Sequence, residues 1–222
     1  MLIRISSYLL LLNFIYHYYS FFNWYLSDQQ IQIEYAFYKG AIAFISALVF
    51  IIYIHVVFFP QKLLDSPRIP SFPPVIMLFS LNLGFGIGIY NLYVVQLYKL
   101  PDFLDYFRSF EIGFTIILLS FLLVYLSIGL FRYYKEDPNP TTTSSFLITD
   151  GIFKFIRNPM YLALILFQFG LGTALSFIHI SMMSLITFIL LHYFVVMREE
   201  LYLKNKFGKS YESYLKISRR WI

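Results

Sequence analysis

The sequence predicts an all-α integral membrane protein, with about six transmembrane helices, a C-terminal helical hairpin and a cytoplasmic amphipathic tail. Three observations predict it. Hydrophobic residues make up 59% of the 222 and charged residues 13%, against about 25% charged in a typical soluble domain. Apolar runs of about 20 residues, enough to cross a bilayer, recur along the chain, and mean hydropathy is +0.68. The basic residues flank those runs. The net charge of +5 therefore reads as membrane orientation and not as nucleic-acid binding. With no Cys there is no disulfide, thiolate metal site or cysteine nucleophile. The four His (His17, His55, His179, His192) show no metal-ligand spacing, so no metal is expected.

The spans fall at 5–26, 36–59, 74–98, 109–131, 159–177 and 179–197. Arg4 and the run after it resemble a signal peptide. No small-residue cleavage site follows, and the run continues through Phe21, Phe22 and Trp24, so it is read as a retained span. Asn13, His17 and Asn23 interrupt it, and the alternative is a helix lying along the membrane surface. Pro60, Pro67, Pro70, Pro73 and Pro74 mark an irregular connection between spans two and three.

Span three carries Gly84, Gly86 and Gly88. Gly84 and Gly88 are a small-xxx-small pair that lets helices approach closely. A nucleotide fingerprint fails, because no strand precedes the glycines. A homodimer through the Gly84/Gly88 face is the partner expectation. Spans five and six join almost directly near Phe177-Ile178-His179, which forces a tight hairpin. Gly170 and Gly172 within it permit close packing or a kink. His179 is expected at the interface on the far turn. After Met197 the pattern becomes amphipathic through Phe207, with Gly208 as C-cap. Tyr211, Tyr214, Leu215, Trp221 and Ile222 are expected to anchor this tail on the membrane.

The connections test the count. With six spans and the N-terminus in the cytoplasm, only Lys39, Lys99 and Arg108 fall on the far side, and the other fourteen of the 17 Lys and Arg fall inside. That bias fits both ends and the dense polar segments being cytoplasmic.

Two polar clusters then meet at one membrane surface. One runs from Leu147 to Tyr161, where Asn158-Pro159 begins a helix. Pro suits the first helical turn, and the free N–H groups of that turn suit an anionic group. The other is Arg198-Glu199-Glu200, one hairpin later. His192 precedes Glu199 by seven residues, which puts both on one face of a regular helix. Glu200 and Lys204 have the spacing of a surface ion pair.

The segment Leu147-Ile148-Thr149-Asp150-Gly151-Ile152-Phe153, followed by Arg157-Asn158-Pro159-Met160-Tyr161-Leu162, resembles the signature of the isoprenylcysteine carboxyl methyltransferase family. That family lies within a wider group of membrane methyltransferases that includes phospholipid methyltransferases. Arg198-Glu199-Glu200-x-x-Leu203, Phe207-Gly208-x-x-Tyr211-x-x-Tyr214 and a basic Trp-Ile ending continue the resemblance, which covers roughly residues 110–222. It implies a methyltransferase-like core at 109–222, with N-terminal helices of unassigned role at 1–108.

The resemblance also implies a site for S-adenosyl-L-methionine. Ser145, Phe146, Leu147 and Ile148 would contact the cofactor largely through backbone, and Phe153 as an aromatic. Asn158, Pro159, Met160 and Tyr161 would contact it at the helix start, and Glu199 from the other side. Arg198, Glu200 and His192 are the catalytic candidates, with Glu199 a further candidate base if the acceptor is an amine.

The isoprenylcysteine enzymes carry an Arg one helical turn before the glutamate to hold the substrate carboxylate, and Val195 stands there. A desolvated carboxylate needs a paired charge. The expected acceptor is thus lipophilic and neutral or amine-bearing, drawn from the bilayer. The rival enzyme is a membrane sterol or steroid reductase using NADPH, which shares an Asn-Pro-x-Tyr-like motif. It usually has a Glu shortly after the Tyr, where this chain has Leu162, Ala163 and Leu164. A non-enzymatic scaffold or transporter is the third reading, and no repeated halves support it.

Overall fold

The structure is a computed structural model that describes residues 2–27, 33–59 and 66–222. Eight α-helices are present among them: α1 (Leu2–Tyr25), α2 (Ile33–Phe58), α3 (Pro73–Tyr90), α4 (Phe110–Tyr133), α5 (Pro159–Ala174), α6 (Ile178–Leu191), α7 (Met197–Phe207) and α8 (Lys209–Ile217). Asn91–Val95 extends α3 by a π-helical turn, and His192–Val196 joins α6 to α7 by another. Four continuous helices are long and apolar enough to cross a membrane: Ile33–Phe58, Pro73–Val95, Phe110–Tyr133 and Ile178–Phe207. Helix α5 is apolar but shorter. Helix α1, the most polar of the expected spans, is not among the four.

Helix α1 nevertheless pairs antiparallel with α2 along its length. Phe14 stacks on Phe50, and Lys39 Nζ donates to Ser20 Oγ at 2.8 Å. Ser6 Oγ and Tyr53 OH share a hydrogen bond near the other end. The phenylalanines of α1 are used here for packing, while Tyr8, Tyr16 and Tyr19 stay exposed. Phe21 and Phe22 interlock with Phe85 of α3 and with Phe177, at ring-centroid distances of 4.9–6.3 Å. The main core therefore draws on both halves of the chain. Edge-to-face aromatic pairs add about 0.5–1.5 kcal/mol each beyond the area they bury.

Glycine decides how closely the later helices pack. A Cβ on Gly113 would lie 2.2 Å from the backbone N of Ala174, and one on Gly172 2.4 Å from that of Ser181. A Cβ on Gly84 would lie 2.7 Å from the backbone O of His179, and one on Gly88 2.4 Å from the Phe177 ring. The small-xxx-small face is thus filled by α6 of the same chain. The close helix approach expected at Gly84 and Gly88 is thus met within one chain.

The α5–α6 hairpin closes in three residues, Leu175 to Phe177, with Ser176 at φ +55°. His179 is not exposed at that turn. It is buried at the start of α6, with Nε2 3.0 Å from Tyr98 OH. Connectivity then sorts the bundle into two ends. One end holds the start of α1, the end of α2 with the 66–72 segment, the 134–158 loop, and α7, α8 and the C-terminus. The other holds residues 91–108 and the α5–α6 turn, where Tyr25 OH and Arg108 Nη1 both donate to Ser176 O.

Candidate active site

At the first end lies a solvent-open cavity with about 730 Å³ of empty space. Its walls come from five places: Pro67 of the 66–72 segment, the end of α4, the 136–158 loop, the start of α7, and α8.

The loop is shaped by its own polar residues. Asn139 Oδ1 accepts from Thr141 N and Oγ1, and Glu136 Oε2 accepts from Ser145 N at 3.0 Å. Tyr134 OH donates to Asp150, and that bond raises the phenol's pKa. Gly151 sits at φ +55°, which favours glycine. It starts a single 3₁₀ turn, Gly151–Lys154, that turns Phe153 inward against Phe131. Asn158 then precedes Pro159 at the first position of α5.

The two polar clusters do meet. Tyr161 OH, one turn into α5, donates to Glu199 Oε2 at 2.7 Å. Glu199 lines the cavity with Phe146, Leu147, Ile148, Phe153 and Asn158. Six of the ten expected cofactor residues therefore line it. Ser145, Pro159 and Met160 do not line it, and Tyr161 acts one step back by holding Glu199. Pro159 is buried, and just before it Arg157 N donates to Arg219 O and Arg219 N to Phe155 O. Asn158 Nδ2 completes that contact with Arg220 O at 3.0 Å.

The three expected catalytic residues separate. Glu200 lines the cavity, but it is clamped. Arg157 Nε lies 3.1 Å from Oε1 and Arg220 Nη2 2.6 Å from Oε2. Arg157 Nη1 also donates to Ser218 O. The expected Glu200–Lys204 pair is absent, and Lys204 pairs with Glu212 at 3.3 Å. Arg198 points away from the cavity, with Nη1 donating to Arg68 O at 2.6 Å and the guanidinium 5.9 Å from the Phe194 ring. His192 is also displaced, with Nδ1 3.2 Å from Trp221 Nε1 and the ring stacked on Phe188. The π-turn explains this. It takes up one residue beyond regular helical register, a rotation of about 100°, so the seven-residue spacing no longer puts His192 under Glu199.

Sequence reasoning missed part of the wall. Glu136, Asp137, Asn139, Thr142 and Ser144 line the cavity from the loop. Tyr211 and Tyr214 line it from α8 and are not membrane anchors, being 1% and 5% exposed. Tyr214 OH donates to Phe153 O at 2.6 Å. Burial raises both phenols, Tyr214 to about 12, so they remain neutral donors at physiological pH. Their i,i+3 spacing on one face of an amphipathic helix was the available signal.

Fold and cavity together define a membrane-embedded helical bundle with a polar, carboxylate-rich site at one end. Residues 109–210 match the family model of phospholipid methyltransferase. This is a family of membrane methyltransferases, in the same wider group as the isoprenylcysteine enzymes. The matched region contains Arg157, Asn158, Tyr161, Glu199 and Glu200, and the cavity extends beyond it into α8. No curated protein matches the chain.

Proposed function

We propose that this chain is an S-adenosylmethionine-dependent methyltransferase with six spans and a cytoplasm-facing site, acting on a lipophilic acceptor that bears an amine. One observation carries the reading. The described cavity wall holds four carboxylates, Glu136, Asp137, Glu199 and Glu200, against one guanidinium, Arg157, which is already spent on Glu200. Such a wall suits cationic groups. When bound, S-adenosylmethionine supplies a methyl group activated by a cationic sulfonium, and its ammonium is a second positive charge. Phe131, Phe146 and Phe153 line the same cavity, and aromatic rings attract cations.

The same charge count speaks against the reductase. Phosphates are held by guanidinium forks and lysines, and this wall has no uncommitted cation among its described residues. A carboxylate acceptor meets the same difficulty, with Val195 wholly buried where the isoprenylcysteine enzymes have Arg.

Glu199 is the group placed to take the proton that an ammonium headgroup must lose before its nitrogen is nucleophilic. Tyr161 fixes that carboxylate. Glu200 is too heavily paired for the task and instead holds the C-terminal segment against the site. The remaining requirement is positioning, which Asn158, Tyr211 and Tyr214 in the cavity lining serve.

The test is titration of the purified protein with S-adenosylmethionine and with NADPH. Labelled methyl transfer to membrane lipid extract and to a prenylcysteine analogue follows. Saturable S-adenosylmethionine binding and label in an amine lipid are expected. NADPH binding alone, or efficient methylation of the prenylcysteine carboxylate, contradicts the reading.

A further inference from the structure

Half of the cavity's described lining comes from one segment, Glu136 to Ile148. The tip of that segment is tied to itself. Asn139 N donates to Asp137 Oδ1 at 2.9 Å, Thr141 N and Oγ1 donate to Asn139 Oδ1, and Thr142 N and Oγ1 donate to Asn139 O. Pro138 and Pro140 fix their own φ within the same turn. Residues 137–142 therefore form one stiff piece. The neck of the segment is tied at the end of α4. Ser145 N donates to Glu136 Oε2 at 3.0 Å, and Phe146 stacks on Tyr134 with ring centroids 4.8 Å apart. None of these contacts reaches α7.

The tie to α7 is a separate one. Ser144 N donates to Tyr202 OH at 3.1 Å, and among the described residues no other hydrogen bond joins the segment to α7 or α8. Tyr202 OH also accepts from Lys206 Nζ at 3.0 Å, and that ammonium lies 5.4 Å from the ring centroid. Two donors thus hold the phenol oxygen as an acceptor. Tyr202 follows Glu199 by three residues, which puts both on the same side of α7. It is half-buried and does not itself line the cavity. It falls at an unassigned position of Arg198-Glu199-Glu200-x-x-Leu203, so the motif gives it no role.

Resting on the function proposed above, we infer that Tyr202 is a positioning residue for the methyl donor: its hydroxyl latches the Glu136–Ile148 wall to α7. Ser144 is two residues from Phe146, and Phe146, Leu147 and Ile148 line the cavity together with Glu199. The latch therefore sets the spacing between the loop wall and the start of α7. Without the hydroxyl the wall keeps its internal bonds and its neck, and swings as one piece about Tyr134 to Glu136. Tyr161 and Glu199 lie on α5 and α7 and keep their geometry. The donor then leaves faster, while the chemical step is unaffected once the donor is bound. The net worth of one neutral hydrogen bond sets the size of the effect, about two- to tenfold in donor affinity.

Tyr202→Phe and Tyr202→Ala separate the hydroxyl from the ring. The experiment measures calorimetric binding of S-adenosylmethionine, steady-state kinetics on membrane lipid extract, and hydrogen exchange of the peptide containing Ser144 in the ligand-free protein. Tyr202→Phe should weaken donor binding about fivefold, raise the donor KM alike and leave kcat within about twofold. Exchange at Ser144 should speed up severalfold, with the melting temperature nearly unchanged. Tyr202→Ala should weaken donor binding no less than Tyr202→Phe. Wild-type affinity and exchange in Tyr202→Phe, with loss confined to Tyr202→Ala, overturns the latch, because the ring alone would then matter. A lower kcat with an unchanged donor KM also overturns it, because the wall would then serve the chemical step. A wild type that binds no S-adenosylmethionine overturns the functional reading and the latch together, whereas normal wild-type binding beside an unaltered Tyr202→Phe overturns the latch alone.

Discussion

The two ends of the bundle use polar residues in opposite ways. At the far end polar groups close contacts: His179 meets Tyr98, Asn91 Nδ2 donates to Tyr98 O, and Arg108 and Tyr25 both cap Ser176 O. At the near end polar groups line space. Glu136, Asp137 and Glu199 face a solvent-open cavity, and of the four carboxylates lining it only Glu200 has an ion pair among the described residues. A polar residue in an apolar protein is therefore a functional candidate when it borders a cavity, and a packing element when it is spent on a neighbour. The same division runs between adjacent residues, with Glu200 resembling the far end and Glu199 the near end.

Breaking the clamp should have the largest effect. Glu200→Ala leaves Arg157, whose side chain is 11% exposed, without its counter-charge. Removing one partner of such a pair costs about 3–5 kcal/mol. Thermal unfolding in detergent should show a large loss of stability, and an unchanged melting temperature would make the clamp incidental. Glu199→Gln should cost less stability but far more function. Losing a charge-assisted hydrogen bond is worth about 1.5–3 kcal/mol, so donor affinity should fall roughly ten- to a hundredfold.

Much of this division was legible in the sequence. Asn158-Pro159 marks a helix start by backbone rules alone, and the nearly direct α5–α6 connection forces the two polar clusters to the same end. Chain connectivity by itself thus brings Glu199 and Tyr161 together. The π-turn at His192–Val196 was not legible, because no residue type in His192-Tyr193-Phe194-Val195-Val196 requires it. It moved His192 from the site onto Trp221. The clamp was hidden for another reason. Arg157, Glu200 and Arg220 lie 43 and 20 residues apart, and Glu200 had a plausible local partner in Lys204. Tyr211 and Tyr214 were mistaken for membrane anchors because an amphipathic tail does not reveal which surface its apolar face covers.

Two smaller effects sharpen the comparison. Gly113→Ala forces a methyl group into the Ala174 backbone, and overpacking of this kind costs about 1–3 kcal/mol. It should lower the melting temperature, while binding measured below that temperature changes little. A binding loss larger than the stability loss would mean that the α4–α5 contact also shapes the cavity. Lys204→Ala should do least. Its pair with Glu212 is half-exposed on both sides, and such pairs contribute about 0.2–1 kcal/mol. A larger loss by chemical denaturation would show that α7 and α8 depend on this pair for their angle.

The central claim is that Glu199 is the site carboxylate and Glu200 the clamp. Calorimetric titration of S-adenosylmethionine into wild type, Glu199→Gln and Glu200→Gln, each below its own unfolding temperature, tests it most directly. The account predicts roughly ten- to a hundredfold weaker binding for Glu199→Gln and a clearly smaller change for Glu200→Gln, whose defect should appear in the melting temperature. Equal weakening in both variants, or a larger effect at Glu200, would contradict it.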